Sequence, residues 1–119
     1  MVRGTLRSTG SPVVPLEIAG QVFEAVIDTG FEGGLQLPNI FISILNPVFA
    51  GRQRYELPDG SVLISDLYDV VVILDGIGLD LRTQFSQSDE ILLGTDALKD
   101  YRLEINFVAR TVLLERMTP

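Results

Sequence analysis

Apolar residues recur along this chain at the two-residue period of half-buried strands, in short stretches separated by glycine, proline and aspartate. Val13, Val14, Leu16 and Ile18 lead into Ala19-Gly20, and Val22, Phe23, Ala25, Val26 and Ile27 follow, all dense in residues that favour strands. This pattern predicts a hairpin that ends at Asp28. Beyond Gly33-Gly34, Leu35 and Leu37 flank Gln36 before Pro38, which predicts a short strand and a break, and 39–45 has room for a helical turn or two.

A second hairpin is predicted where 52–57 and 61–67 flank Pro58-Asp59-Gly60: the proline presets φ and the glycine accepts positive φ at a tight turn. Residues 68–74 continue as a buried strand, Asp75-Gly76 turns the chain, and Leu79, Leu81 and Thr83 share one face of the next strand. Ile91-Leu92-Leu93 is stopped by Gly94, after which Thr95 or Asp96 is positioned to cap a brief helix through Asp100. Leu103, Ile105 and Phe107 alternate, as do Thr111, Leu113 and Glu115. The fold class is therefore all-β with one or two short helices. No repeat, linker or low-complexity stretch divides residues 1–119, so a single domain is expected.

Composition narrows the chemistry. At 119 residues the chain can bury roughly two thirds of the surface its unfolded form exposes, enough to fold without disulfides or metal. Hydrophobic residues make up 46% of it, yet no apolar run approaches the roughly 18 residues that span a bilayer. Met1-Val2-Arg3-Gly4-Thr5 lacks the apolar stretch of a secretory signal, so a cytoplasmic protein is expected. A net charge of −7 repels phosphate backbones and anionic membranes, so neither nucleic acid nor membrane is expected as a partner.

The absences are more informative. With no histidine, no cysteine and one lysine, Lys99, the chain cannot build a Ser-His-Asp or Cys-His device, nor a zinc site of the usual ligands. No cofactor or metal is expected, and carboxylate chemistry is what remains for acid-base work. Asp75-Gly76-Ile77-Gly78-Leu79-Asp80 lacks the spacing of a phosphate loop or a calcium site and reads as a turn. Tyr55, Tyr68, Tyr101, Phe85 and Phe107, at strand spacing, are expected in the core.

One constellation carries chemistry. Asp28-Thr29-Gly30 follows the apolar Ala25-Val26-Ile27 and opens into a glycine-rich turn. An acid at a strand end projects a carboxylate into a cleft, the glycine permits close backbone approach, and the threonine hydroxyl can lock the turn. Alone, the tripeptide is an ordinary strand-ending turn. Its context changes that, because Pro58-Asp59-Gly60 and Leu92-Leu93-Gly94 follow in order.

These three features resemble the retropepsin-like aspartic proteases, more closely their small bacterial and archaeal members. There an apolar strand ends in Asp-Thr/Ser-Gly, a flap hairpin follows about thirty residues on, and an apolar-apolar-Gly strand precedes a short helix. The resemblance covers nearly the whole chain. It implies a closed, barrel-like β subunit, with Asp28 as the catalytic carboxylate, Thr29 and Gly30 completing the active-site turn, and a flap tipped by Pro58, Asp59 and Gly60. Phe31 and Gly94 would face the substrate site, and Gly94 would let the chain pass close under the turn. Phe31 stands where viral members carry a small residue, and the flap tip lacks their run of glycines; both shape the cleft differently.

The chemistry needs two facing carboxylates while the chain offers one Asp-Thr-Gly, so a homodimer acting on peptide or protein substrates is expected. The resemblance also implies that the last strand, 111–115, shares the dimer interface with the N-terminal segment. The expected function is that of an aspartic endopeptidase. The alternatives are a catalytically weak or inactive dimerisation or peptide-binding module on the same fold, and an antitoxin-like regulatory partner of unrelated β fold.

Overall fold

A computed structural model describes residues 1–117. Ten strands and two short helices follow one another as β1 (Val2–Leu6), β2 (Pro12–Ile18), β3 (Gln21–Ile27), β4 (Leu35–Pro38), α1 (Phe41–Leu45), β5 (Val48–Glu56), β6 (Val62–Leu74), β7 (Ile77–Ser86), β8 (Leu92–Leu93), α2 (Thr95–Leu98), β9 (Tyr101–Asn106) and β10 (Thr111–Arg116). No helix among the described residues is long and apolar enough to cross a membrane.

Glycine chemistry places the hairpin turns where the sequence predicts them. Ala19-Gly20 takes φ of 51° and 82°, and Asp75-Gly76 takes 54° and 73°. Positive φ at both central residues matches the twist of the flanking strands, which keeps β2–β3 and β6–β7 in register.

The strands form one sheet in the order β5-β6-β7-β4-β8-β3-β2-β1-β10-β9, with an added β6–β2 pairing. That pairing joins six strands into a ring, but through Glu17 and Ile73 alone. The sheet is therefore a ring joined at one point, looser than the closed barrel expected. β2 serves two neighbours on the same edge: Pro12 and Val13 pair with β1, and Glu17, further along, meets β6.

Alternation decides which side chains fill the ring. Val14, Leu16 and Ile18 on β2, Val70, Val72 and Leu74 on β6, and Leu35 and Leu37 on β4 are buried, while Val71 and Ile73 between them point outward. Each fully buried side chain of this size stabilises the fold by roughly 1.5–3 kcal/mol. Thr83 joins them, its hydroxyl donating to the Leu81 carbonyl at 3.0 Å.

Three expectations need correction. β10 buries Val112 and Leu114 and leaves Leu113 half-buried, the opposite face to the one the Thr111-Leu113-Glu115 alternation suggested. Phe107, expected in the core, lies beyond β9 in the β9–β10 turn and is 69% exposed. And β6, expected to be a buried strand over 68–74, buries Val70, Val72 and Leu74 but leaves Val71 and Ile73 exposed, because only one face of the strand meets the core. β1, which alternation did not reveal, pairs Val2 with Leu114 and Thr5 with Thr111.

Candidate functional site

β3 delivers Asp28. The strand runs in register with β8, Val26 beside Leu92 and Ile27 beside Leu93, and the Asp28 N–H donates to the Leu93 carbonyl at 3.0 Å. There the ladder ends and the chain turns: the Gly30 N–H donates to Asp28 Oδ1 at 2.9 Å and the Phe31 N–H to the Asp28 carbonyl at 3.2 Å. The carboxylate is thus oriented by its own turn, and Asp28 stays half-buried with Thr29 and Gly30 exposed beside it.

β8 lies between β3, which it pairs in parallel, and β4, which it pairs antiparallel through Leu35–Leu93 and Gln36–Leu92. Directly after it, three backbone bonds fix the turn from below: Gly94 N–H to the Gly34 carbonyl at 3.0 Å, Thr95 N–H to Phe31 at 2.8 Å, and Asp96 N–H to Gly33 at 3.2 Å. Gly94 is the residue that permits this closeness, since a Cβ there would lie 2.1 Å from the Gly33 carbonyl oxygen. It also precedes α2 as the N-cap, with no side chain capping the helix, so neither Thr95 nor Asp96 caps it as the sequence suggested.

The second hairpin, β5–β6, is longer than expected, running through eight residue pairs from Val48–Asp69 to Glu56–Val62 with a bulge at Phe49/Gly51. Its tip is tightly tied. Leu57 N–H donates to the Ser61 carbonyl at 2.8 Å, Gly60 sits at φ 85°, and Asp59 Oδ1 accepts from the Ser61 N–H at 2.8 Å and the Ser61 hydroxyl at 2.5 Å.

The Ser61 hydroxyl, and then its N–H, hold the Asp59 carboxyl below the usual aspartate range. A carboxyl whose pKa is lowered by folding supports the turn above the ordinary aspartate pKa of about 3.9, and that support fades as pH falls through the lowered value. In an NMR titration the Ser61 amide resonance should therefore move with a midpoint below the ordinary aspartate value, and Asp59→Ala should abolish that step. A Ser61 amide that titrates at or above the ordinary value would show that the cap does not form.

Two hollows adjoin the turn. One, of about 190 Å³, is lined by Phe31, Glu32, Gln53, Tyr55, Arg82 and Gln84. The other, of about 460 Å³, lies against the hairpin and is lined by Phe31, Gln36, Tyr55, Leu57, Leu63 and Phe85. Phe31 lines both; Asp28, three residues earlier, lines neither.

The structure thus brings Asp28, Thr29, Gly30, Phe31 and Gly94 into one backbone-bonded unit. It does not bring Pro58, Asp59 and Gly60 to it: the tip is exposed, and the hairpin reaches the hollows through Leu57 and Leu63. Tyr55 and Phe85, expected in the core, stand half-buried against the hollows, and Gln36 and Gln84 were not singled out at all. Their signal was an uncharged polar side chain on the outward side of an apolar alternation, between Leu35 and Leu37 and between Thr83 and Phe85.

No family model and no curated protein sequence matches the chain. Solved structures do. A retropepsin-like aspartic protease from Rickettsia conorii aligns over 96% of this chain and 89% of its own, with a TM-score of 0.70 and 14% identity. The protease of simian foamy virus (mac) aligns over 73% of this chain and 91% of its own, with a TM-score of 0.60 and 20% identity. The foamy viral protease-reverse transcriptase, solved with an RNA/DNA hybrid, aligns over 79% of this chain but 13% of its own, with a TM-score of 0.59 and 16% identity. At such identities the likeness is one of backbone, and it establishes that this chain has the retropepsin-like fold.

Proposed function

We propose that residues 1–119 form one catalytic domain and that two copies make an aspartic endopeptidase, each contributing Asp28. The observation that carries this reading is the Asp28 turn. It holds a single oriented carboxylate at a strand end, on a fold shared with aspartic proteases, with only one of its oxygens engaged by the turn. Among the described residues the exposed Thr29 hydroxyl makes no hydrogen bond within the chain, which leaves it available to a second turn across a two-fold axis.

Two carboxylates about 3 Å apart cannot both ionise readily, so the pair holds one shared proton and titrates as a unit, as aspartic proteases do. The ionised Asp28 takes a proton from a bound water as the water oxygen attacks the peptide carbonyl carbon. The protonated Asp28 of the other copy gives its proton to the carbonyl oxygen, leaving a neutral tetrahedral diol. Collapse breaks the C–N bond: the first aspartate returns its proton to the departing nitrogen, and a diol hydroxyl reprotonates the second. No covalent intermediate forms. Leu57 and Leu63 on the β5–β6 hairpin cover the substrate, which lies extended beneath it, against Phe31 and Phe85.

The test is cleavage of a mixed peptide library between pH 4 and 7, with light scattering to follow assembly. Cleavage is expected, and its rate per chain should fall on dilution into the monomer range, because a lone copy holds half a site. Monomers at every concentration, or dimers that bind peptides without cutting them, would overturn the reading; the second outcome describes a peptide-binding module.

A further inference from the structure

Between the two hollows stands a connected line of three side chains. The Tyr55 hydroxyl donates to Gln84 Oε1 at 3.2 Å, and Gln84 Nε2 donates to Gln36 Oε1 at 3.0 Å. The three residues lie on different strands: Tyr55 in β5, opposite Leu63; Gln84 in β7; and Gln36 in β4, in parallel register with Gln84. Gln36 also pairs with Leu92 of β8, one residue before the carbonyl that accepts from the Asp28 N–H. The line therefore runs from the stem of the hairpin to the strands that carry the candidate catalytic turn. Tyr55 and Gln84 each border both hollows, so their contact is the partition between them.

We infer that Tyr55, Gln84 and Gln36 are a catch that holds the β5–β6 hairpin at a fixed height over the groove before any peptide is bound. The inference rests on the proposed protease reading for its effect on catalysis, and on the structure alone for its effect on the hairpin. The hairpin is joined to β7 at its base, through the Tyr68–Thr83 pairing, the Tyr68–Phe85 edge contact and the Arg82–Asp69 ion pair, but above it no other hydrogen bond or ion pair among the described residues ties 52–56 and 62–66 to the body of the protein. The stem's outer face carries the Arg52–Asp66 pair, which joins one hairpin strand to the other and nothing beyond. A two-stranded ribbon without such a tie is marginally ordered in water.

The two links differ in strength. At 3.2 Å the Tyr55 contact is long for an O–H···O bond, whereas 3.0 Å is ordinary for N–H···O. The glutamines are the fixed anchor and Tyr55 is the end that releases, so the hairpin can lift to admit a peptide and settle again at the same height. Burial, helped by the nearby Glu32 charge, pushes the Tyr55 phenol up, so it remains a donor at neutral pH and below.

A preset hairpin spares the peptide the cost of ordering it, so these are positioning residues whose loss weakens binding and leaves the bond-breaking step alone. Tyr55→Phe and Gln84→Leu should each speed hydrogen exchange severalfold in 52–56 and 62–66 and leave the β2–β3 hairpin unchanged. Each should raise KM for a cleaved peptide roughly two- to tenfold with kcat nearly constant, the effect of one hydrogen bond. The double variant should do no more than Gln84→Leu alone, since Gln84→Leu already removes the bond from Tyr55 along with the bond to Gln36. Wild-type exchange rates in Tyr55→Phe, or additive effects in the double variant, would overturn the catch. Should the wild-type protein cleave nothing, the protease reading fails while exchange still decides the catch.

Discussion

Asp28→Asn should abolish peptide cleavage while leaving the fold and the dimer intact. Asparagine keeps the size of the side chain and an Oδ1 acceptor, so the 2.9 Å bond from the Gly30 N–H persists and the turn holds its shape. What disappears is the ability to hold and release a proton. With an amide on both sides of the axis neither general base nor general acid remains, and each such role contributes typically 10²–10⁴-fold. The expected loss is at least that large, with a melting temperature close to wild type. Mixing provides a sharper measurement. Once subunits have exchanged, activity should fall as the square of the wild-type fraction, because only dimers with two carboxylates work. A linear or shallower fall would mean that a dimer with a single Asp28 still cleaves, and the shared-proton mechanism would be wrong.

What the sequence disclosed and what it hid divide along physical lines. Local chemistry was readable: Ala19-Gly20 and Asp75-Gly76 demanded turns with positive φ, and the spacing of Val14, Leu16 and Ile18 named the buried face of β2. The order of Asp28-Thr29-Gly30, Pro58-Asp59-Gly60 and Leu92-Leu93-Gly94 carried the resemblance that pointed to the fold. Non-local pairing was not readable. Val2–Leu6 is a strand because Leu114, more than a hundred residues away, is its partner, and nothing within five residues announces that. In β10 three consecutive apolar residues, Val112-Leu113-Leu114, carry no period, so the alternation chosen on either side of them pointed to the wrong face.

The aromatic residues failed for a different reason. Strand spacing places Tyr55 and Phe85 on inner faces, but an inner face can be packed shut or left open under a hairpin. Here Tyr55 and Phe85 are half-buried beside the β5–β6 hairpin, and the same side chains that would have been core line a hollow instead. Nor could spacing show that Gln36 and Gln84 fall side by side, because that depends on the parallel register of β4 and β7.

Gly94→Ala should be a severely damaging small substitution, because the added methyl group meets backbone. Gly94 has φ −93° and ψ 178°, extended backbone that any residue adopts, so the requirement for glycine is one of space alone. An added Cβ would lie 2.1 Å from the Gly33 carbonyl oxygen and 2.7 Å from that of Phe31, both backbone atoms that cannot swing away. Those same carbonyls accept from Asp96 and Thr95, so making room for one methyl group breaks the bonds that fix the Asp28 turn from below. Overpacking of this kind costs typically 1–3 kcal/mol or more. For a chain of this length that lowers the melting temperature by roughly 4–12 °C. Gly78→Ala is the matched control: no atom lies within 4 Å of its added Cβ and its φ is not positive, so its melting temperature should stay near wild type. If the two variants melted alike, the tight passage of the chain beneath the Asp28 turn would not be what requires glycine at position 94.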